Sequence, residues 1–452
     1  MTTLSRSNLS SIPQFNGKAH SKLQALAKPI GAVCNISCTY CYYLEKQQLL
    51  EYPKGSQYTM DEVLLERYIK QYIEGQNTPE IIFSWHGGEP TLLGIEYFQK
   101  VVELQKKYCP SYSKISNDLQ TNGTLLNDAW CEFFKNNDFI IGVSIDGPEH
   151  LHNHYRTNRA GKGTFSQTMR GIRYLKQHNV EFATLSCVND VTGKYPLEVY
   201  RFLRDEVGSK QLQFIPVVDK REAHTNNKWL SNQQAIIPVS GEVEPWSVGS
   251  AQWGQFLTTV FDEWFEHDFG RVLVPYFENF VGVWMGREST MCTLSEICGK
   301  GLAVEPNGDV YSCDHYVFPE FQLGNIQEQA LSTLAFSPKQ QRFGFAKQKS
   351  LPKQCQACEF KFACHGECPK NRIITSRDGE AGLNYLCEGW LSFFKHIDPV
   401  IKGLLKANNI ASRLGLRSRC EWIQPRFKLD RRLAKLCEPF GFWFLVFGNG
   451  YI

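Results

Sequence analysis

No stretch of this 452-residue chain approaches the ~18 apolar residues that a membrane-spanning helix requires, which argues against a span. The opening residues, MTTLSRSNLSSIPQFNGK, lack the apolar centre of a secretion signal. No run of Lys or Arg forms a polybasic arm and the formal net charge is only +3, so nothing favours nucleic acid as a partner. Internal repeats and low-complexity tracts are also missing. The chain does have cysteine, sixteen of them. Without a secretion signal, that number points to metal ligands in a reducing compartment and not to disulfides, so the expected location is the cytoplasm. Apolar residues at 42% and charged residues at 21% are ordinary for a globular protein. The length suffices for one large core and a smaller domain.

Between residue 26 and about residue 218, short apolar runs alternate with longer amphipathic stretches. The runs Leu26–Val33, Ile81–Trp85, Ile115–Gln120, Ile140–Ile145, Phe182–Val188 and Leu212–Val218 read as strands. Helical patterns between them include Asp61–Ile73, Gly94–Lys107, Asp128–Asn136, Thr164–His178 and Pro196–Val207. Such alternation specifies a parallel sheet with right-handed crossovers. Six units are too few for a closed eight-fold barrel, so the expected fold is α/β, a partial (β/α)6 TIM-like barrel followed by a small cysteine-rich iron–sulfur domain. Chemistry in such folds sits at the carboxyl ends of the strands. The expected division is an extension at 1–25, the barrel with a polar linker at 26–250 and a helical connection at 251–290. The cysteine-rich domain follows at 291–390, and a tail of unassigned role at 391–452 ends in FGFWFLVFGNGYI.

Cys34, Cys38 and Cys41 stand in C-x3-C-x2-C spacing. Three thiolates on one loop can hold three irons of a [4Fe–4S] cube and leave the fourth open to a ligand, which suggests redox chemistry. Tyr40, Tyr42 and Tyr43 would shield such a cluster from water. After the second strand comes WHGGEPTLL, in which Gly87 and Gly88 admit a ligand close to the backbone and Glu89 adds a carboxylate. The third strand leads to the turn Asn122-Gly123, and the fourth to Ser144, Asp146 and Arg156. Towards the C-terminus, Cys292, Cys298, Cys313, Cys355, Cys358, Cys364, Cys368 and Cys387 are enough for two further cubes, although the C-x2-C-x5-C-x3-C run by itself also suits zinc. A hairpin turning at Asn307-Gly308 would present Cys313 and Asp314 at a strand end. Cys109, Cys131, Cys187, Cys420 and Cys437 have no ligand spacing and read as structural thiols. His150, His152 and His154 lack companion ligands and read as surface or loop histidines.

The triplet and the GGEP element resemble the radical S-adenosylmethionine (SAM) enzymes. Together with the C-terminal pattern they resemble the anaerobic sulfatase-maturating enzymes of the SPASM branch, over about residues 28–390. The resemblance implies three [4Fe–4S] clusters and SAM. Cys34, Cys38 and Cys41 would hold the SAM cluster. Cys292, Cys298, Cys313 and Cys368 would hold the first auxiliary cluster, with Cys355, Cys358, Cys364 and Cys387 on the second. The crossover of Cys368 is implied by the family alone. SAM contacts carried over are Gly87, Gly88 and Glu89 at the methionyl amino group, Ser144 and Arg156 near its carboxylate, and Tyr43 near the active site. A structural role is the alternative for Ser144 and Arg156, and aromatic packing for Tyr43. Relatives carry either Gln or His where His86 stands.

The implied reaction converts a cysteine or serine within a C/S-x-P/A-x-R motif of a sulfatase to Cα-formylglycine. A deoxyadenosyl radical takes a hydrogen from the residue's Cβ, and a base, for which Asp314 is the candidate, removes the thiol or hydroxyl proton. The alternative for Asp314 is a side chain that only orients its hairpin. The surplus electron leaves through the auxiliary clusters, and a small flavodoxin or ferredoxin is the implied electron donor. The competing readings are another radical peptide modification, such as thioether cross-linking of a ribosomal peptide, or a non-catalytic iron–sulfur protein. Thioether-forming enzymes often carry an additional peptide-recognition domain of about eighty residues, and only some twenty-five precede the first strand here.

Overall fold

The computed structural model describes residues 23–51, 58–220 and 242–413. Residues 1–22 of the expected N-terminal extension, most of the polar linker, Cys420, Cys437 and the aromatic end of the tail lie outside the described residues, while the last residues of that extension, Gln24 and Ala25, belong to the first strand.

Nine strands form one sheet in the order β6-β5-β4-β3-β2-β1-β7-β8-β9. Strands β1 (Gln24–Ala27), β2 (Glu80–Trp85), β3 (Lys114–Thr121), β4 (Phe139–Ser144), β5 (Phe182–Val188) and β6 (Leu212–Pro216) run parallel, each pairing with the next. The six-unit partial barrel is present as expected. β7 (Gly301–Val304) then pairs in parallel with β1, while β8 (Asp309–Tyr311) and β9 (Gln322–Asn325) continue antiparallel. The hairpin of the cysteine-rich segment thus extends the barrel sheet. Periodicity within either segment carries no trace of that join, because it is a pairing across more than 270 residues.

The first strand is shorter than Leu26–Val33. It ends at Ala27 because Pro29 has no N–H for a ladder. The chain turns instead, with Gly31 N–H bonding the Lys28 carbonyl at 2.9 Å. That turn delivers Cys34 to the top of the sheet. The last parallel strand likewise stops at Pro216, short of Val218.

Local chemistry explains the covering helices. Asp61 caps Glu62–Glu74 by accepting from Leu64 N–H at 2.8 Å, and Asn127 caps Asp128–Asn136 by accepting from Trp130 N–H at 3.0 Å. Leu64, Leu65, Tyr68, Ile69, Tyr72 and Ile73 recur at helical spacing and are buried against the sheet. Alternation in β2 sends Ile81, Phe83 and Trp85 into that outer core and leaves Glu80, Ile82 and Ser84 on the other face. The start of the expected tail is a helix, Cys387–Arg413, lying on Ser250–Glu263. Gly254 and Gly389 make this approach possible, since a Cβ on Gly389 would stand 2.0 Å from the Ser250 carbonyl oxygen. Trp390, Phe393, Phe394 and Ile397 are buried there. Among the described residues no helix is long and apolar enough to cross a membrane.

Candidate active site

The loops after β1, β2, β3 and β4 meet at the carboxyl ends of the strands. The cysteine loop and the GGEP loop are joined backbone to backbone: Gly88 N–H bonds the Gly31 carbonyl, and Glu89 N–H bonds the Val33 carbonyl at 2.9 Å. Only glycine fits at 88, because a Cβ there would lie 2.0 Å from the Val33 carbonyl oxygen. Gly88→Ala should therefore displace the segment leading into Cys34, costing more than about 1 kcal/mol of stability and lowering SAM cleavage. A melting temperature and deoxyadenosine yield equal to wild type would contradict this.

Glu89 is fully buried. Its carboxylate accepts from Thr91 N–H (3.1 Å), Thr91 Oγ1 (2.6 Å), Thr121 Oγ1 (2.8 Å) and Asn122 N–H (2.7 Å). Burial pushes this carboxyl up while those four bonds oppose the shift. Much of its bonding capacity thus goes to joining the second loop to the third. Asn122 reaches Cys34, with Nδ2 3.8 Å from its Sγ and 2.8 Å from Asn35 Oδ1. Sequence reasoning took Asn122 only as a turn residue.

Arg156 is buried, pairs with Asp146 at 3.0 Å and flanks Cys38 Sγ at 3.8 Å. Its other terminal nitrogen lies 3.9 Å from Cys187 Sγ, so this thiol, read as merely structural, borders the site. Ser144 Oγ accepts from Gln120 Nε2 at 2.8 Å. His150 and His154 are exposed, whereas His152 is buried and bonded to Thr164 Oγ1 at 3.1 Å.

The three tyrosines do more than shield. Each hydroxyl donates to a carboxylate on a different element: Tyr40 to Asp146, Tyr42 to Asp314 and Tyr43 to Glu305. Asp314 also forms an ion pair with Lys28, whose ammonium is fully buried and stands 3.5 Å from the centre of the Tyr43 ring. Burial pushes the Asp314 carboxyl up, but the charge of the buried Lys28 ammonium opposes it, and the carboxyl is held below the usual carboxylate range. Burial and the Lys28 charge push His86 down to about 4, which keeps it neutral at physiological pH. Lys28 is the residue the sequence concealed, because a single lysine ahead of a cysteine motif carries no pattern.

The C-terminal thiols gather in two groups. Beyond burial, the charges that raise Cys313 come from Cys292, Cys368, Asp314 and Cys298, and those that raise Cys368 include Cys298 and Cys292. Cys364 instead has Cys387 and Cys355 beside it, and Cys387 has Cys355 and Cys358. Buried Arg372 donates to the Gly366 carbonyl at 3.0 Å and to the Lys347 carbonyl at 2.7 Å, and Lys347 in turn donates to the Cys292 carbonyl at 2.9 Å. These bonds lash the two groups together. Near the N-terminal triplet, burial first and then the charge of Glu89 push Cys34 up to about 11.

The donor chemistry fits iron–sulfur cubes. Thiols raised by burial and by each other's charge become thiolates together when a cationic centre compensates them.

Residues 29–203 match the radical SAM superfamily and residues 292–359 match an iron–sulfur cluster-binding domain. The chain is 45% identical over 384 residues to the serine-type anaerobic sulfatase-maturating enzyme of Bacteroides thetaiotaomicron, covering 85% of this chain and 91% of that one. It is 33% identical to the cysteine-type enzyme of Clostridium perfringens, covering 86% and 99%. Among solved structures it resembles native anSMEcpe with bound AdoMet, with a TM-score of 0.73, 31% identity and coverage of 84% of this chain and 99% of that one. The chain belongs to the anaerobic sulfatase-maturating enzymes, within the radical SAM superfamily.

Proposed function

We propose that the chain oxidises a cysteine or serine of a sulfatase to Cα-formylglycine without oxygen, using SAM and three [4Fe–4S] clusters. One observation carries this reading: Asp314 of the cysteine-rich segment meets Lys28 and Tyr42 of the N-terminal cysteine loop. A carboxylate is thereby held beside the place where a radical would be generated. The bound clusters and SAM supply a radical that takes a hydrogen atom from the substrate Cβ, and an outlet for the surplus electron.

The protein's own residues do the rest. Cys34, Cys38 and Cys41 hold the SAM cluster, Cys292, Cys298, Cys313 and Cys368 the first auxiliary cluster, and Cys355, Cys358, Cys364 and Cys387 the second. The GGEP loop of Gly87, Gly88 and Glu89 would receive the methionyl amino group. Ser144 and Arg156 would take its carboxylate, with Arg156 aimed by Asp146. Asp314 takes the proton of the substrate thiol or hydroxyl. Before that step Lys28 keeps the carboxylate ionised, Tyr42 anchors its second oxygen, and Tyr43 carries the face on which Lys28 rests. Neutral His86 adds no competing charge. A small flavodoxin or ferredoxin delivers electrons, and the work is done in the cytoplasm, a reducing setting that keeps the cluster thiols available to iron.

The test is an anaerobic incubation of the reconstituted, reduced protein with SAM and a sulfatase peptide containing S-x-P-x-R or C-x-P-x-R. The serine peptide should lose two hydrogens, and the cysteine peptide should lose two hydrogens and exchange sulfur for oxygen, with 5′-deoxyadenosine formed in both. Deoxyadenosine with neither peptide altered would assign the radical chemistry to a different substrate.

A further inference from the structure

Cys364 lies with one C-terminal thiol group and Cys368 with the other, and only His365, Gly366 and Glu367 separate them. All three are left-handed, with φ of 46°, 73° and 50°, a conformation that is costly for a residue bearing a Cβ. One side chain holds this turn. Arg372, only 1% exposed, donates Nη2 to the His365 and Glu367 carbonyls at 2.8 and 3.3 Å, and Nε to the Gly366 carbonyl at 3.0 Å. Its Nη1 reaches the Lys347 carbonyl at 2.7 Å and Ser350 Oγ at 3.2 Å. The guanidinium thus spends its donors on five acceptors, and none of them carries a charge.

A second buried cation stands beside it. Lys347, on the helix Pro338–Lys349, is also 1% exposed, and its Nζ donates to the Cys292 and Thr293 carbonyls at 2.9 and 2.7 Å. Among the described residues neither cation forms an ion pair with a carboxylate. Buried Glu367 feels the charge of Lys347, but its Oε2 is taken by Asn371 Nδ2 at 3.0 Å and Asn384 Nδ2 at 2.6 Å. It offsets at most one of the two charges. A charge removed from water without a partner is costly, so buried charges are paired or face a metal centre. Here the thiols are what the cations face. Burial pushes the Cys298 and Cys355 thiols up, while Lys347 and then Arg372 oppose the shift at Cys298, and Arg372 opposes it at Cys355. One guanidinium therefore acts on a member of each group.

Building on the sulfatase-maturation reading, we propose that Lys347 and Arg372 are the buried countercharge of the auxiliary clusters and draw the surplus electron onto them. A cube held by four thiolates is an anion, and reduction adds one more negative charge. The electron lost by the substrate radical is the electron gained by a cube. A fixed cation nearby lowers the energy of the more negative form and so raises the reduction potential. Backbone carbonyls suit this purpose better than carboxylates would, because they hold the two cations in place without cancelling their charge.

The test is an anaerobic redox titration of the reconstituted full-length chain, followed by the EPR signal of the reduced clusters. Cys34→Ala, Cys38→Ala and Cys41→Ala are combined first, so that about eight irons remain and only the auxiliary clusters report. In that background Lys347→Gln should make reduction of an auxiliary cluster about tenfold less favourable or more, a midpoint lower by at least about 59 mV. Lys347→Arg, which keeps the charge, should restore the starting value. An unchanged midpoint in Lys347→Gln, or an equal fall in Lys347→Arg, would overturn the proposal. Should Lys347→Gln not load iron, Arg372→Gln and Arg372→Lys enter the same titration under the same criteria. If neither glutamine variant loads iron, loading by Lys347→Arg and Arg372→Lys upholds the role of charge, and their failure overturns it. The titration contains no SAM and no peptide, so it stands apart from the sulfatase reading, whose failure would show as wild type that makes no formylglycine.

Discussion

Asp314→Asn should lower formylglycine formation by about a hundredfold or more, the usual worth of a positioned general base, while the enzyme still loads iron and still cleaves SAM. The asparagine keeps the shape and can still bond Tyr42, but it cannot take up the substrate proton. The substitution also removes the charge that faces buried Lys28. Breaking such a buried pair costs about 3–5 kcal/mol, so some loss of stability is expected as well. The two effects separate in the readouts. A folding defect lowers iron content and deoxyadenosine along with product, whereas loss of the base lowers product alone. Product formed at the wild-type rate would remove Asp314 from the chemistry and leave it as the residue that orients the hairpin.

Cys368→Ala should cost one cluster, a fall from about twelve to about eight irons per chain. The informative comparison is between pairs. If Cys368 shares a cluster with Cys313, the Cys313→Ala and Cys368→Ala double variant also holds about eight irons, because both changes strike the same site. Combining Cys368→Ala with Cys355→Ala should leave about four, because two sites are lost. The reverse outcome, four for the first pair and eight for the second, would move Cys368 to the group of its sequence neighbours.

The barrel was legible in the sequence because each strand–helix unit carries its own signal: a short apolar run, a cap such as Asp61 or Asn127, then apolar residues at helical spacing. The thiols and the GGEP loop were legible for a similar reason, since their chemistry is compressed into short spacings. What escaped was every relation between distant segments. The pairing of β1 with β7, the ion pair of Lys28 with Asp314 and the bond from Tyr43 to Glu305 each join parts of the chain more than 250 residues apart. Neither partner of such a pair is distinctive alone. The tyrosines show the same limit, because aromatic rings beside cysteines suggest shielding, and only the fold supplies the carboxylates their hydroxyls reach. Glu89 was noticed as a carboxylate near a ligand, but its four bonds to Thr91, Thr121 and Asn122 need the third loop in place.

The central claim is that a hydrogen atom leaves the substrate Cβ while Asp314 handles the proton. Its most direct test uses a sulfatase peptide whose target serine carries deuterium at Cβ, incubated anaerobically with the reconstituted enzyme and SAM. Deuterium should appear in 5′-deoxyadenosine, and the aldehyde product should retain one deuterium. Formylglycine produced together with deuterium-free deoxyadenosine would contradict the claim.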